Sequence, residues 1–219
     1  ALQIQEGATK EGLASFERAL EFKPDDLILM AIYGSACIQA GEPKRPASLY
    51  DGLIQRNPKK PESLIARAEY RKASGNLDGA LTDLKKAVEA APSDINARIA
   101  LAGLHFASGR KDMALTQTAE ALKLDPSSRE ALWLRANIKS ASGDVAGALE
   151  DYDALTKLDP SDMKAVLAKA ETLCASGQYG KAAGLCGTAI KENPSEPAAY
   201  VCRADALLAL GDTKAAEAD

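Results

Sequence analysis

The sequence is poor in the residues that carry most chemistry. Its 219 residues include one histidine, one tryptophan, three phenylalanines and four cysteines. Acid–base catalysis and histidine-based metal sites need several convergent groups, and one histidine supplies few of them. No nucleophile elbow GxSxG, phosphate-cradling GxxxxGK[ST] or zinc-binding HExxH occurs. Asp-rich stretches such as Asp151-Tyr152-Asp153 lack the loop glycine and spacing of a calcium site. The longest unbroken apolar run, Leu27 to Tyr33, is seven residues, whereas a membrane-spanning helix needs about 20. There is no excess of positive charge either. With 27 basic and 31 acidic residues the net charge is −4, which excludes a strongly basic nucleic-acid binder on overall charge. The chain opens neither on Met nor on a signal peptide, so it is expected to be a piece of a longer chain.

The cysteines, Cys37, Cys174, Cys186 and Cys202, form no CxxC and no ligand-like cluster with His105. They read as small apolar residues buried in helices. Their spacing does not support a disulfide among the last three, though it leaves one open, and with it the compartment. His105, beside Phe106 on a predicted helix, reads as packed rather than catalytic. No cofactor and no metal are expected.

What is present in quantity is alanine, 43 residues. With 46% hydrophobic and 26% charged residues, the composition is that of a globular, helical chain. The order of the residues is periodic. Pro24, Pro58, Pro92, Pro126, Pro160 and Pro194 lie 34 residues apart, and so do Gly7, Gly41, Gly75, Gly109, Gly143, Gly177 and Gly211. Each unit splits into two helical stretches. From Arg129 to Ala141, Leu132, Ala136 and Ile138 give one apolar face; from Val145 to Leu158, Ala148, Leu149, Tyr152, Leu155 and Leu158 give another. Ser142-Gly143-Asp144 ends the first helix, with Asp144 placed to cap the second. Asp159-Pro160-Ser161-Asp162 ends the second, and Asp162 can cap the next.

Small residues recur in the first helices at Gly34, Ala68, Ala102, Ala136, Ala170 and Ala204. They recur in the second at Gly12, Ala80, Ala114, Ala148, Ala182 and Ala216. Small side chains let helix backbones approach, so these columns predict the crossing of each hairpin. Larger residues flank them, among them Met30, Leu64 and Leu132 in first helices and Phe16, Tyr50, Leu84 and Tyr152 in second helices. An isolated hairpin cannot bury both faces, so stacking is predicted. Pro46 takes the place of one second-helix alanine and is tolerable in a first turn.

Period, turn glycine, small-residue columns and closing proline resemble the tetratricopeptide repeat (TPR) family over essentially the whole chain. Phe16-Glu17-Arg18-Ala19-Leu20-Glu21-Phe22-Lys23-Pro24 and the stretch from Tyr152 to Pro160 look like that family's second helix. The resemblance implies an all-α, right-handed α-solenoid of stacked 34-residue helix-turn-helix repeats, in one array over residues 1–219. Five full repeats are expected (27–60, 61–94, 95–128, 129–162 and 163–196), with partial ones over 1–26 and 197–219. Gly7 is expected to be a turn. Leu2, Ile4, Leu207, Leu208 and Leu210 are expected to leave apolar ends open to self-association.

Charge adds a second periodicity. Arg67 and Asp83, Arg135 and Asp151, and Arg203 and Asp219 are each 16 residues apart. We read them as structural ion pairs across hairpins, the rival reading being that the arginines grip a partner's carboxylate. Lys169 faces Leu185, so the pairing is expected to break there.

The resemblance also implies an inner wall built from first helices. It places Ile65, Ile99, Trp133, Leu167 and Val201 in one inward column, and Glu69, Asn137, Glu171 and Asp205 one turn further on. A third column holds Lys72, Phe106, Ser140 and Cys174, and Glu62, Glu130 and Lys164 stand at the rim. With five acids and two bases, this wall is apolar with acidic edges. It suits an extended or helical protein segment with apolar anchors and basic flanks. Family members that grip the C-terminal carboxylate of heat-shock chaperones need Lys or Arg with Asn at fixed inward places. Here Ile65, Glu69, Ala100, Glu130 and Leu134 stand instead, which argues against that clamp. The expected function is a protein–protein interaction scaffold and not an enzyme. The alternatives are a docking or regulatory segment of a larger enzyme, such as a peptidase or glycosyltransferase, and a periplasmic or lumenal assembly module.

Overall fold

The computed structural model describes the backbone of residues 2–219 and the side chains of residues 9–219. Among the described residues every regular element is a helix. Two compact units divide the chain, Ala1–Leu104 and His105–Asp219. The first holds α1 (Leu2–Phe22), α2 (Leu27–Gln39), α3 (Ala47–Arg56), α4 (Pro61–Ala73), α5 (Leu77–Ala90) and most of α6 (Ile95–Ala107). The second holds α7 (Lys111–Leu124), α8 (Arg129–Ala141), α9 (Val145–Leu158), α10 (Met163–Ala175), α11 (Tyr179–Glu192), α12 (Pro197–Ala209) and the single turn α13 (Thr213–Ala216).

The turns between paired helices follow from glycine chemistry. Six column glycines, from Gly41 to Gly211, have φ between 74° and 84°, a region closed to most side-chain-bearing residues. At Gly143 the left-handed step lets the Asp144 N–H bond to the Lys139 carbonyl at 2.9 Å and the Gly143 N–H to that of Ser140 at 3.0 Å. These carbonyls are otherwise orphaned at a helix end. The Asp144 carboxylate then accepts from the Gly147 N–H at 3.0 Å and opens α9. Asp162 opens α10 in the same way, accepting from Ala165.

Helix crossings are built on alanine. Ala68 and Ala80 in the first unit, and Ala136, Ala148, Ala170 and Ala182 in the second, are all buried. At such a contact a larger side chain would overpack the interface, at a cost of about 1–3 kcal/mol. The first unit departs from the pattern at α2, where Leu13, Leu20, Met30, Tyr33, Tyr50, Leu53 and Tyr70 form the core. Tyr50 stacks on Tyr70 with ring centroids 4.9 Å apart and planes 16° from parallel. Gly34 makes room for that stack: a Cβ there would lie 3.1 Å from the Tyr70 ring and 3.3 Å from the Tyr50 hydroxyl.

Three sequence expectations are corrected. Gly7 is not a turn, since α1 runs through it from Leu2 to Phe22. Ala8 follows Gly7 where Asn76 and Asp144 cap α5 and α9, but Arg110 and Gln178 open α7 and α11 without a side-chain cap, so the missing cap does not by itself explain the continuous helix. Gly12 is exposed rather than at a crossing; α1 instead turns Leu13 and Leu20 into the core. Pro46 is not within the first turn of α3 but is its N-cap residue, and α3 is only ten residues long. Two prolines, Pro43 and Pro46, hold residues 43–46 in turns and delay the helix. At the chain ends, Leu208 and Leu210 are exposed and Leu207 is half-buried, while the side chains of Leu2 and Ile4 lie outside the described residues.

Candidate functional site

The ion pairs form a ladder with a more general rule than one partner per hairpin. Arg67 of α4 donates to both carboxylate oxygens of Asp83 on α5, Nε at 2.9 Å and Nη2 at 2.6 Å. It also reaches Asp51 of α3 at 2.5 Å. The Asp83 side chain is 1% exposed and receives a second cation, Arg71, at 2.6 Å. Arg135 of α8 makes the same fork to Asp151 of α9, at 2.9 and 2.6 Å, with Lys139 as the second cation at 3.0 Å. Arg203 of α12 forks onto Asp219, and this holds the Asp219 carboxyl below the usual range.

At Lys169 the pairing across its own hairpin is broken, since Leu185 carries no charge, but the lysine pairs backward. Its ammonium lies 2.5 Å from Asp153, sixteen residues back on α9, instead of facing Leu185 sixteen residues forward. Tyr33, in the same register column, likewise donates back to Glu17. Arg45 bonds to Glu17 as well. The Arg45 and Tyr33 bonds hold the Glu17 carboxyl below its ordinary value. Where this column carries a polar residue, the first helix is latched forward within its own hairpin, backward to the preceding second helix or, at Arg67, both ways; in α6 the column residue is Leu101, which packs in the core instead.

The wall residues come together in the second unit. An open cleft of about 550 Å³ between α8 and α10 is lined by Trp133, Asn137, Lys164, Leu167 and Glu171, with Tyr152 of α9 at its base. The Trp133 ring stands edge-on to Tyr152, centroids 5.8 Å apart. The Lys164 ammonium sits 4.3 Å from the Trp133 ring centre, in cation–π reach. The buried Tyr152 hydroxyl donates to the Asn137 side-chain oxygen at 2.8 Å, and the Ser140 and Thr172 hydroxyls bond across the helices at 3.0 Å. Tryptophan is thus held in one orientation while one face of the cleft stays open. A second cleft of about 330 Å³, between α10 and α12, is lined by Glu171, Cys174, Val201, Cys202 and Asp205. Val201 is 61% exposed, and Glu171 borders both clefts.

Elsewhere the predicted wall residues are dispersed. Ile65 packs partly against the core of α4, α5 and α6, and Ile99 and Phe106 are half-buried. Glu69 is paired with Lys72 along α4, so those two charges offset each other. Glu130 is exposed at the start of α8. His105 is buried. Sequence reasoning missed the second cations Arg71 and Lys139, although each follows its arginine by four residues, one helical turn. It also missed the Tyr152–Asn137 bond, which no linear spacing announces.

Helices paired through glycine turns, crossing on alanine and leaving one line of side chains open, define an α-helical repeat protein. A sequence model described as Tetratricopeptide repeat matches residues 72–138 and 139–200, and a second of the same description matches residues 114–163. The chain belongs to the tetratricopeptide repeat family. No curated protein matches it. Among solved structures, PilW, described as a widely conserved type IV pilus biogenesis factor, is similar at a TM-score of 0.71 and 16% identity, over 88% of this chain and 89% of that one. A tetratricopeptide repeat protein from Parabacteroides merdae ATCC 43184 has a TM-score of 0.67 and 18% identity, over 97% and 84%. YrrB, described as a TPR protein with an unusual peptide-binding site, has a TM-score of 0.59 and 19% identity, over 84% and 95%. At these identities the likeness is one of fold.

Proposed function

We propose that this chain is a protein-interaction scaffold and not an enzyme, and that its wall of first helices takes a partner segment with an apolar anchor beside basic residues. The observation that carries this reading is the α8–α10 cleft. Trp133 and Leu167 offer an apolar floor there, and Glu171 supplies negative charge at the edge. Tyr152 and Lys164 hold the tryptophan in place, so little rotamer freedom remains to be lost on binding. A central, pre-positioned tryptophan is the residue type that most often dominates an interface. Glu171, Asp205 and Glu130 then act as steering charges for a basic flank. That YrrB carries a peptide-binding site on the same fold supports the reading.

The test is selection of peptides from a random displayed library, followed by titration against variants. Binders enriched in an apolar residue next to Lys or Arg are expected. Trp133→Ala should weaken them by about 2 kcal/mol or more. Glu171→Lys and Glu130→Lys should slow association more at low salt than at high salt. Acidic binders, or binders indifferent to Trp133→Ala, would overturn the assignment of this face.

A further inference from the structure

Tyr50 and Tyr152 share a register column, and the next position of that column, 34 residues after Tyr152, is Cys186. On α11 a thiol therefore stands where α3 and α9 carry a phenol. It is not alone. Cys186 is buried on α11, and its Sγ lies 2.9 Å from the Sγ of Cys202 on α12. Both are free thiols. The separation is only about 0.9 Å longer than a disulfide bond. The two cysteines sit within one packed cluster with Ala182 and Ala206, so side-chain rotation can close the gap without separating the helices. Cys202 also lines the open α10–α12 cleft, where a small molecule can reach it, while Cys186 lies behind it. One accessible and one sheltered thiol in contact are the arrangement of an attacking and a resolving cysteine.

We propose that Cys186 and Cys202 are a modification site, closing to a reversible intramolecular disulfide on exposure to small-molecule disulfides. The Cys202 thiolate attacks one sulfur of the reagent R–S–S–R, forming a mixed disulfide and expelling RS⁻, which takes up a proton. The Cys186 thiolate then attacks the Cys202 sulfur and expels the second RS⁻, which is protonated in turn. Two protein S–H groups are oxidised to one S–S bond, and the reagent is reduced to two R–SH, so electrons and protons balance. Once Cys202 is a mixed disulfide it has no S–H to donate, and what still favours the Cys186 thiolate is the charge of Arg203. The bond to Cys186 and burial push the Cys202 thiol up, and burial with the neighbouring Cys202, Asp205 and Glu171 pushes Cys174 up as well, so it is contact with Cys186 and not a lower pKa that singles out Cys202. Closure would tie α11 to α12 and withdraw the Cys202 sulfur from the wall of the cleft.

Cystamine is the probe, since a cationic disulfide suits a cleft edged by Glu171 and Asp205. Folded protein treated with it should fall from four titratable thiols to two. It should lose two hydrogens in mass with no retained cystamine half, and recover both thiols with dithiothreitol. Trypsin separates Cys174, Cys186 and Cys202 into different peptides, so the linked pair can be read directly from the wild-type protein, whatever the variants do. The link should join Cys186 to Cys202, survive Cys174→Ser and vanish in Cys202→Ser. A Cys174–Cys202 link, a stable cystamine adduct, or four unreacted thiols in the folded state would each overturn the proposal.

Discussion

Tyr50 and Tyr152 occupy equivalent positions in the two units, and both are 2% exposed, yet the surroundings give them different work. In the first unit the Tyr50 ring lies flat on Tyr70 and its hydroxyl donates to the Met30 main-chain carbonyl at 3.2 Å. Every contact is internal, and burial pushes its phenol up to about 12. In the second unit the Tyr152 ring meets the edge of Trp133 and its hydroxyl reaches Asn137, a cleft residue. Burial raises its phenol too. One column of a repeat can thus serve the core in one place and position a surface cleft in another. What decides is whether the neighbouring first helices offer Gly34 of α2 and Tyr70 of α4, or Trp133 and Asn137 of α8.

The largest effects are expected where both tyrosines are removed down to the β-carbon. Tyr50→Ala and Tyr152→Ala should each cost about 3–5 kcal/mol in urea unfolding, as for other large buried rings. A loss under about 1 kcal/mol in either would break the claim that the column is core in both units. Next come the carboxylates of the ladder. Asp83→Ala leaves Arg67 and Arg71 without their buried partner. Arg67 keeps Asp51, and both arginines retain some solvent contact, so we expect about 2–3 kcal/mol rather than the larger cost of a fully buried pair. Asp51→Ala, at a side chain 55% exposed, should cost under about 1 kcal/mol. Equal losses would show that the ladder does not distinguish forward from backward latches.

The smallest and sharpest comparison uses the hydroxyls. Tyr50→Phe removes a donor from a buried main-chain carbonyl and should cost about 1 kcal/mol of stability. Tyr152→Phe frees the half-buried Asn137, which water can serve. Its stability loss should be smaller, and the change should appear instead in the affinity of peptides selected on the Trp133 cleft. The opposite pattern, with affinity untouched and stability lost, would make Tyr152 as purely structural as Tyr50.

Much of this was legible in the residues. The proline and glycine columns marked the helix ends, and α8 and α9 begin and end at the residues that periodicity indicated. Fixed φ at proline and permitted positive φ at glycine act on the chain locally, so they need no tertiary information. The cleft was less legible. Trp133, Asn137, Leu167 and Glu171 were on one predicted wall, but the wall was uniform on paper. The Lys164–Trp133 contact, the Ser140–Thr172 bond and the Tyr152 hydroxyl concentrate it in the second unit. On α4, the pairing of Glu69 with Lys72 offsets an acidic charge that the column alone had counted.

The sequence by itself determined the period, the hairpin, the turns and the alanine crossings, because each rests on backbone geometry or on the size of one side chain. Only the tertiary structure decided which acid each cation takes and that Cys186 touches Cys202. Those outcomes depend on competition. Lys169 could look to either side and found Asp153 because Leu185 offered no charge. Two cysteines sixteen residues apart meet because α11 and α12 bring them into one cluster. Spacing along a chain brings partners within range, while the contacts that form are set by what every neighbouring helix presents at the same point in space.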